Sequence, residues 1–223
     1  MLILFSNPCS LNMSKLISSQ LLYFVGFTLI NLLTFFYSQT FILTDDLYRL
    51  IAGSQMTDRQ FDDYLEFVHK WQWVSYLFIP LALLLRISFT WVCLKAGSFI
   101  TERFTKAAFW KICIQAEIVF AVGAVAGLLY TEFFVDVETL EQLSVNPFSL
   151  QVFFSDSVPK WSSYFFNTLN IFELSYILFL AYLITEESKM KFLPSLKFVA
   201  STYLPGITLW VLLVSYLSVV FQP

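Results

Sequence analysis

Five separate stretches of about twenty mostly apolar residues punctuate this chain, and nothing else in it restricts the possible folds so severely. They run approximately from Leu21 to Leu43, Trp73 to Leu94, Ala107 to Tyr130, Tyr164 to Ile184 and Phe198 to Phe221. A helix rises about 1.5 Å per residue, so about 20 residues cover a hydrocarbon layer of roughly 30 Å, and a helix pairs every backbone N–H and C=O within the segment. A water-soluble core could not hide all five. Of 223 residues 58% are hydrophobic and 13% charged, roughly half the charged share of ordinary soluble domains. The spacing therefore predicts an all-α polytopic membrane protein: residues 1–223 as a single transmembrane domain, a bundle of about five transmembrane helices with short interfacial helices. Trp71, Trp73, Trp110, Trp161, Tyr130 and Tyr164 fall near the ends of the spans, where amphipathic rings favour the headgroup level.

The charges between spans predict the orientation, because cytoplasmic loops retain Lys and Arg. An odd number of crossings puts Lys15, Lys95, Arg103, Lys106, Lys189, Lys191 and Lys197 on one side with Glu102, Glu186 and Glu187. The other side carries Arg49, Arg59, Lys70 and Lys160 against eleven carboxylates, among them Asp45, Asp58, Asp62, Glu66, Glu132 and Asp136. The N-terminus is thus expected in the cytoplasm and the C-terminus outside, in a plasma membrane such as a bacterial inner membrane. The opening MLILFSNPCS lacks a basic leader and a cleavage site, so no removed presequence is expected.

Helical signals continue between the spans. In TDRQFDDYLEFVHK, Thr57 and Gln60 form a capping-box pattern, and Phe61, Leu65 and Val68 recur at helical spacing away from Asp62, Asp63 and Glu66. An amphipathic helix should feed the second span, with Gly53 ending the turn before it. Two segments begin alike, Asn7-Pro8-Cys9-Ser10-Leu11 and Asn146-Pro147-Phe148-Ser149-Leu150; in each, Asn can cap and Pro can occupy the first helical position. The second continues as NPFSLQVFF, too short to cross. A surface-lying helix is the expectation over a re-entrant one, since re-entrant backbone requires protein or water around it.

Four ionisable residues interrupt the spans: Arg86, Lys111, Glu117 and Glu173. Lys111 is near enough to the cytoplasmic end to snorkel. The other three count to roughly 13 to 20 Å deep on three different helices, where an unpaired charge costs at least about 2.5–3.5 kcal/mol. They should face the bundle, with Arg86 paired to Glu117 or Glu173, and with Asn167, Asn170 and Gln115 extending a polar seam. Such a seam serves either as a substrate or proton pathway or as a network that fixes helix register. Register is the first expectation, because two carboxylates and one guanidinium can largely satisfy each other. Gly123 and Gly127 give GxxxG spacing, flanked by Ala124 and Ala126, marking close helix packing within the chain or in a dimer. Pro80 and Pro205-Gly206 should bend the second and fifth spans.

No strong catalytic constellation is visible, and no cofactor is implied. His69 is the one histidine and reads as an interfacial surface residue rather than a metal ligand. Cys93 and Cys113 lie in apolar runs, and with Cys9 they imply no disulfide framework. No phosphate loop, HExxH helix or GxSxG elbow occurs. The acidic stretch from Glu132 to Glu141 does not match a calcium loop and reads as a solvated face. A net charge of −3 and an isoelectric point near 5.1 exclude the basic face that nucleic acid demands. The expected partners are the lipid bilayer and other membrane proteins or a second copy.

The order of features resembles the Yip (Ypt-interacting protein) family and its bacterial relatives. The residues carrying the likeness are SNPCSLNMSKLI before the first span, LKAGSFITERFTKAAFWK between the second and third, VNPFSLQVFFSDSVPKW before the fourth, and NTLNIFELSYILFLAYLI as the fourth span itself. The resemblance implies a five-span fold with a cytoplasmic N-terminus, and no established reaction for the bacterial members. The function expected is a non-enzymatic scaffold or interaction partner in membrane organisation. The alternative is a small transporter or permease component using Arg86, Glu117 and Glu173.

Overall fold

The computed structural model describes residues 8–52, 57–101, 108–135, 145–154 and 160–221, with side chains of the first helix described from Ser19 onward. The Asn7 cap, the Cys9, Lys15 and Trp161 side chains, Gly53, the loop charges Glu102, Arg103 and Lys106, Asp156 and the acidic run from Asp136 to Glu141 lie outside the described residues. The chain is all-α: the described residues contain no strand, and one isolated bridge joins Ser149 to Asn170. Helix α1 spans Pro8–Tyr37 and runs on as a π-helical turn, Ser38–Ile42; α2 is Asp45–Ala52 and α3 Asp58–Thr101. Helices α4 (Phe109–Ala116) and α5 (Ile118–Phe134) follow, then a 3₁₀ turn, Leu150–Phe154. Helices α6 (Lys160–Thr168), α7 (Ile171–Ser188) and α8 (Phe192–Val220) complete the chain.

Among the described residues, four helical stretches are long and apolar enough to cross a membrane: Ser19–Ile42, Asp58–Ile100, Phe109–Phe134 and Phe192–Val220. The second is 43 residues, because the amphipathic segment expected before the second span joins it as one rod. Its start follows the sequence pattern: the Thr57 N–H donates to Gln60 Oε1 at 3.0 Å, satisfying an otherwise orphaned donor. Pro80 and Pro205 both sit inside continuous helices. In the third stretch Glu117 tightens the rod locally, its N–H donating to the Ile114 carbonyl three residues back.

The fourth expected span is corrected by the structure. Tyr164 to Ile184 is not one helix but breaks at Leu169–Asn170, where Asn170 is extended (φ −129°, ψ 166°) and its side chain accepts the Glu173 N–H at 2.8 Å. The remaining piece, α7, has 18 residues and carries Glu173, Glu186 and Glu187. The break is held from outside. Leu150 N–H donates to the Leu169 carbonyl at 2.9 Å, Ile171 N–H to the Phe148 carbonyl at 3.2 Å, and Asn146 N–H to Asn167 Oδ1 at 2.9 Å. The NPF segment thus supplies the backbone partners that helical continuity would have supplied. Phe148 also contacts the rings of Tyr130 and Phe172.

Helix α7 lies at the centre, burying Tyr176, Ile177, Leu180, Ala181 and Ile184 against α4, α5 and α8. The α3–α8 crossing is close enough to need glycine. A Cβ on Gly97 would fall 1.9 Å from Thr202 Cγ2, and one on Gly206 2.5 Å from Cys93 Sγ. The expected GxxxG contact is half present: Gly123 packs against the Phe172 ring within the chain, whereas Gly127 faces open space. Gly97 belongs to α3, not to the interhelical loop in which the sequence places it. Leucine and phenylalanine dominate the outward faces, as in Leu22, Leu85, Phe133 and Leu212.

Candidate functional site

Charge buried in the middle of the bundle defines the site. Arg86 projects from the centre of α3 to Glu117 at the α4–α5 junction; Nε donates to the carboxylate at 2.9 and 3.2 Å, and Nη2 also pairs with Oε2. The guanidinium stacks on Phe120, with Cζ 4.1 Å from the ring centroid. Stacking suits a planar cation whose in-plane donors are engaged elsewhere. The Glu117 side chain is wholly buried, while that of Arg86 is 38% exposed. The pair is therefore covered on its anionic side and open on its cationic side.

That opening is a cavity of about 520 Å³ between α1, α3 and α5. Arg86 lies at one end; Asn31, Thr34, Ser38, Gln39 and Thr131 supply its other polar walls. It stretches about two helical turns, from the level of Ala124 to that of Thr131, or roughly 10 Å, towards the end of the bundle where α1 finishes. Several wall groups turn part of their capacity inward: Asn31 Nδ2 donates to the Phe27 carbonyl at 2.8 Å and Thr34 Oγ1 to Ile30 at 3.0 Å. Their acceptor oxygens remain available. Among the described residues, Arg86 Nη1 makes no hydrogen bond, so its two N–H groups are free to meet water or a solute at the cavity floor.

Glu173 is brought near this pair but takes a different partner. Tyr203 on α8 donates its hydroxyl to Glu173 Oε1 at 2.7 Å. Arg86 and Glu117 are close enough for their charges to act on it. Tyr176, one turn along α7, is fully buried and donates to Thr90 Oγ1 at 3.1 Å, its ring against Phe120 and Tyr203. Asn170 does not extend the seam; it caps α7, and Asn167 caps the NPF segment. Lys111 reaches Glu187 at 3.3 Å. His69 Nε2 lies 3.2 Å from Asp45 on an exposed face.

Sequence reasoning found Arg86, Glu117 and Glu173 but missed Phe120, Thr90, Tyr176 and Tyr203. Aromatic residues within an apolar run carry no signal separating a hydroxyl aimed inward from a ring facing lipid. The cavity wall did leave a trace: Asn31, Thr34 and Ser38 recur at helical spacing on one stripe of the first span. Comparison of the chain with family models, curated proteins and solved structures finds no match.

Proposed function

We propose that the protein is a non-enzymatic multi-pass membrane protein that admits a small polar solute or ion into its bundle, as a carrier or a permease component. One observation carries this reading: a cavity with Asn31, Thr34, Ser38, Gln39 and Thr131 in its walls ends on a partly exposed guanidinium at mid-bundle. A dry structural ion pair needs no such access, and a charge at this depth facing a water-sized space typifies substrate and ion pathways. The non-enzymatic part rests on the pairing of buried groups, Arg86 with Glu117, Tyr203 with Glu173 and Tyr176 with Thr90, which are donor–acceptor pairs without an activated nucleophile. In this reading α6 and α7 together make an interrupted fourth crossing, with the NPF segment entering the bilayer to pair the break. Irregular backbone of this kind is tolerated at depth where protein or a cavity surrounds it. The loop charges favour a cytoplasmic N-terminus, the membrane proposed is a plasma membrane, and NP segments before the first and fourth of five crossings support kinship with the Yip family.

Thiol accessibility tests the reading. With native cysteines replaced by alanine, cysteines at Thr34, Ala82 and Leu128 are expected to react with a membrane-impermeant reagent applied at the Gln39 end, while one at Leu29 stays unreactive. Unreactive cavity positions would mean a sealed space, and the proposal fails.

The scaffold reading keeps one supporting observation. Helix α1 contributes only Phe27 to the buried core among its described residues, and leaves Leu22, Leu29, Leu33 and Phe36 exposed along its length. Crosslinking from these positions in native membranes should capture a discrete protein if α1 is a docking face, and lipid alone if it is not.

A further inference from the structure

A second cavity, of about 660 Å³, lies between the helix break, the NPF segment, α7 and α8. Its size suits a drug-sized molecule. Its walls are almost entirely apolar, formed by residues such as Phe148, Phe153, Phe165, Leu174 and Leu204, and among the described residues Glu173 is the one ionisable group lining it. The Arg86 cavity is built differently: Asn31, Thr34, Ser38, Gln39 and Thr131 interrupt its apolar walls, and it ends on a cation.

The charge count around Glu173 is uneven. Arg86 is bound to Glu117 through two of its nitrogens, so those two charges cancel. Glu173 receives only a neutral phenol hydroxyl, from Tyr203. Among the described residues, the titratable and charged groups that act on it are Tyr203 from α8, Arg86 from α3 and Glu117 from the α4–α5 junction. None supplies a second positive charge. A lone carboxylate in this medium must be neutralised by a proton or by a bound cation. The cavity beside it has the shape and lining for an apolar cation, with aromatic rings that favour diffuse positive charge.

We infer that this cavity binds lipophilic monocations, organic ammonium or phosphonium ions, at Glu173 in exchange for a proton. The cation's charge replaces the proton on the carboxyl, and the proton leaves to water, so the net charge of the site is unchanged by exchange. The polar solute proposed for the Arg86 cavity plays no part in this argument. The thiol test above can fail without touching it.

The experiment uses the full chain in detergent or nanodiscs, with tetraphenylphosphonium as probe. Expected are saturable binding of one ion per chain, affinity that strengthens as pH rises, and release of about one proton per ion bound. Glu173→Gln should weaken binding at least tenfold, and the equally bulky anion tetraphenylborate should not compete. Leu174→Trp, which fills the cavity and keeps the carboxylate, should weaken binding similarly, so the proposal remains testable if the glutamine variant does not fold. Equal binding of tetraphenylborate, wild-type affinity in either folded variant, or affinity independent of pH would each overturn the assignment.

Discussion

Arg86 and Glu117 each make the other tolerable at mid-bundle. Removing one partner of a buried pair leaves the other uncompensated, typically at a cost of 3–5 kcal/mol, whereas replacing both with apolar residues of similar volume is often neutral. Glu117→Ala should therefore destabilise the protein by about 3 kcal/mol, and the double variant Arg86→Met/Glu117→Met should return to within about 1 kcal/mol of wild type. With Cys9 and Cys93 replaced by alanine, a melt followed by a thiol-reactive dye reads this, because Cys113 is buried and reacts only on opening. The double variant should fold yet lose the thiol accessibility of the first cavity, which separates the pair's stability role from its place at the cavity floor. The pair itself was legible in the sequence: charges on different spans at equal depth have few other ways to be accommodated. Which carboxylate Arg86 would choose was not. That depends on the local tightening at Glu117 and on Phe120 beneath the guanidinium, neither of which has a periodic signature. Tyr203, the partner Glu173 takes, reads in the sequence as one more apolar ring.

Glycines and the helix break set the geometry of the elements. At Gly97 and Gly206 an added methyl would overlap Thr202 and Cys93 across the α3–α8 crossing, whereas at Gly127 it would meet nothing within 4 Å. Gly97→Ala and Gly206→Ala should each cost about 1–3 kcal/mol through forced separation of the helices. Gly127→Ala should be neutral or slightly stabilising, since alanine favours helix by up to about 1 kcal/mol. The same thiol melt ranks the three, and an equal loss at Gly127 would contradict the packing described. Here spacing pointed to one close glycine, Gly123, and missed Gly97 and Gly206, because a GxxxG pattern describes one helix and close approach is a property of two. The α6–α7 break was hidden for a related reason. By composition Tyr164 to Ile184 is a continuous apolar run, and what interrupts it is pairing with Phe148 and Leu150, about twenty residues upstream. Asn170 was a cap signal in plain view, but an Asn inside an apolar run reads equally well as part of a polar stripe. Asn170→Ala should loosen the start of α7 by about 1 kcal/mol, read as faster amide exchange at Glu173 than at Leu180.

For the molecule as a whole, helical content and four of the apolar crossings were legible from hydropathy alone, since a segment that must pair its backbone internally has little choice of conformation. The asymmetry of loop charge predicts that tags at the two termini are reached from opposite sides of the membrane; both on one side would remove the interrupted crossing from the count. The sequence implied an amphipathic helix feeding the second span, and the single rod the two form has a mechanical consequence. At 44 residues α3 is about 66 Å long, twice the roughly 30 Å of hydrocarbon it would traverse. Its Asp58–Lys70 arm is gripped by α2, with Arg49 over the Phe61 ring and Tyr48 against Tyr64. Pivoting as one body about Arg86, a tilt of about 10° sweeps the Asp58 tip through roughly 7 Å. A fluorophore on that arm would therefore magnify any tilt of the rod, as the pointer of a gauge whose spindle is buried among the helices.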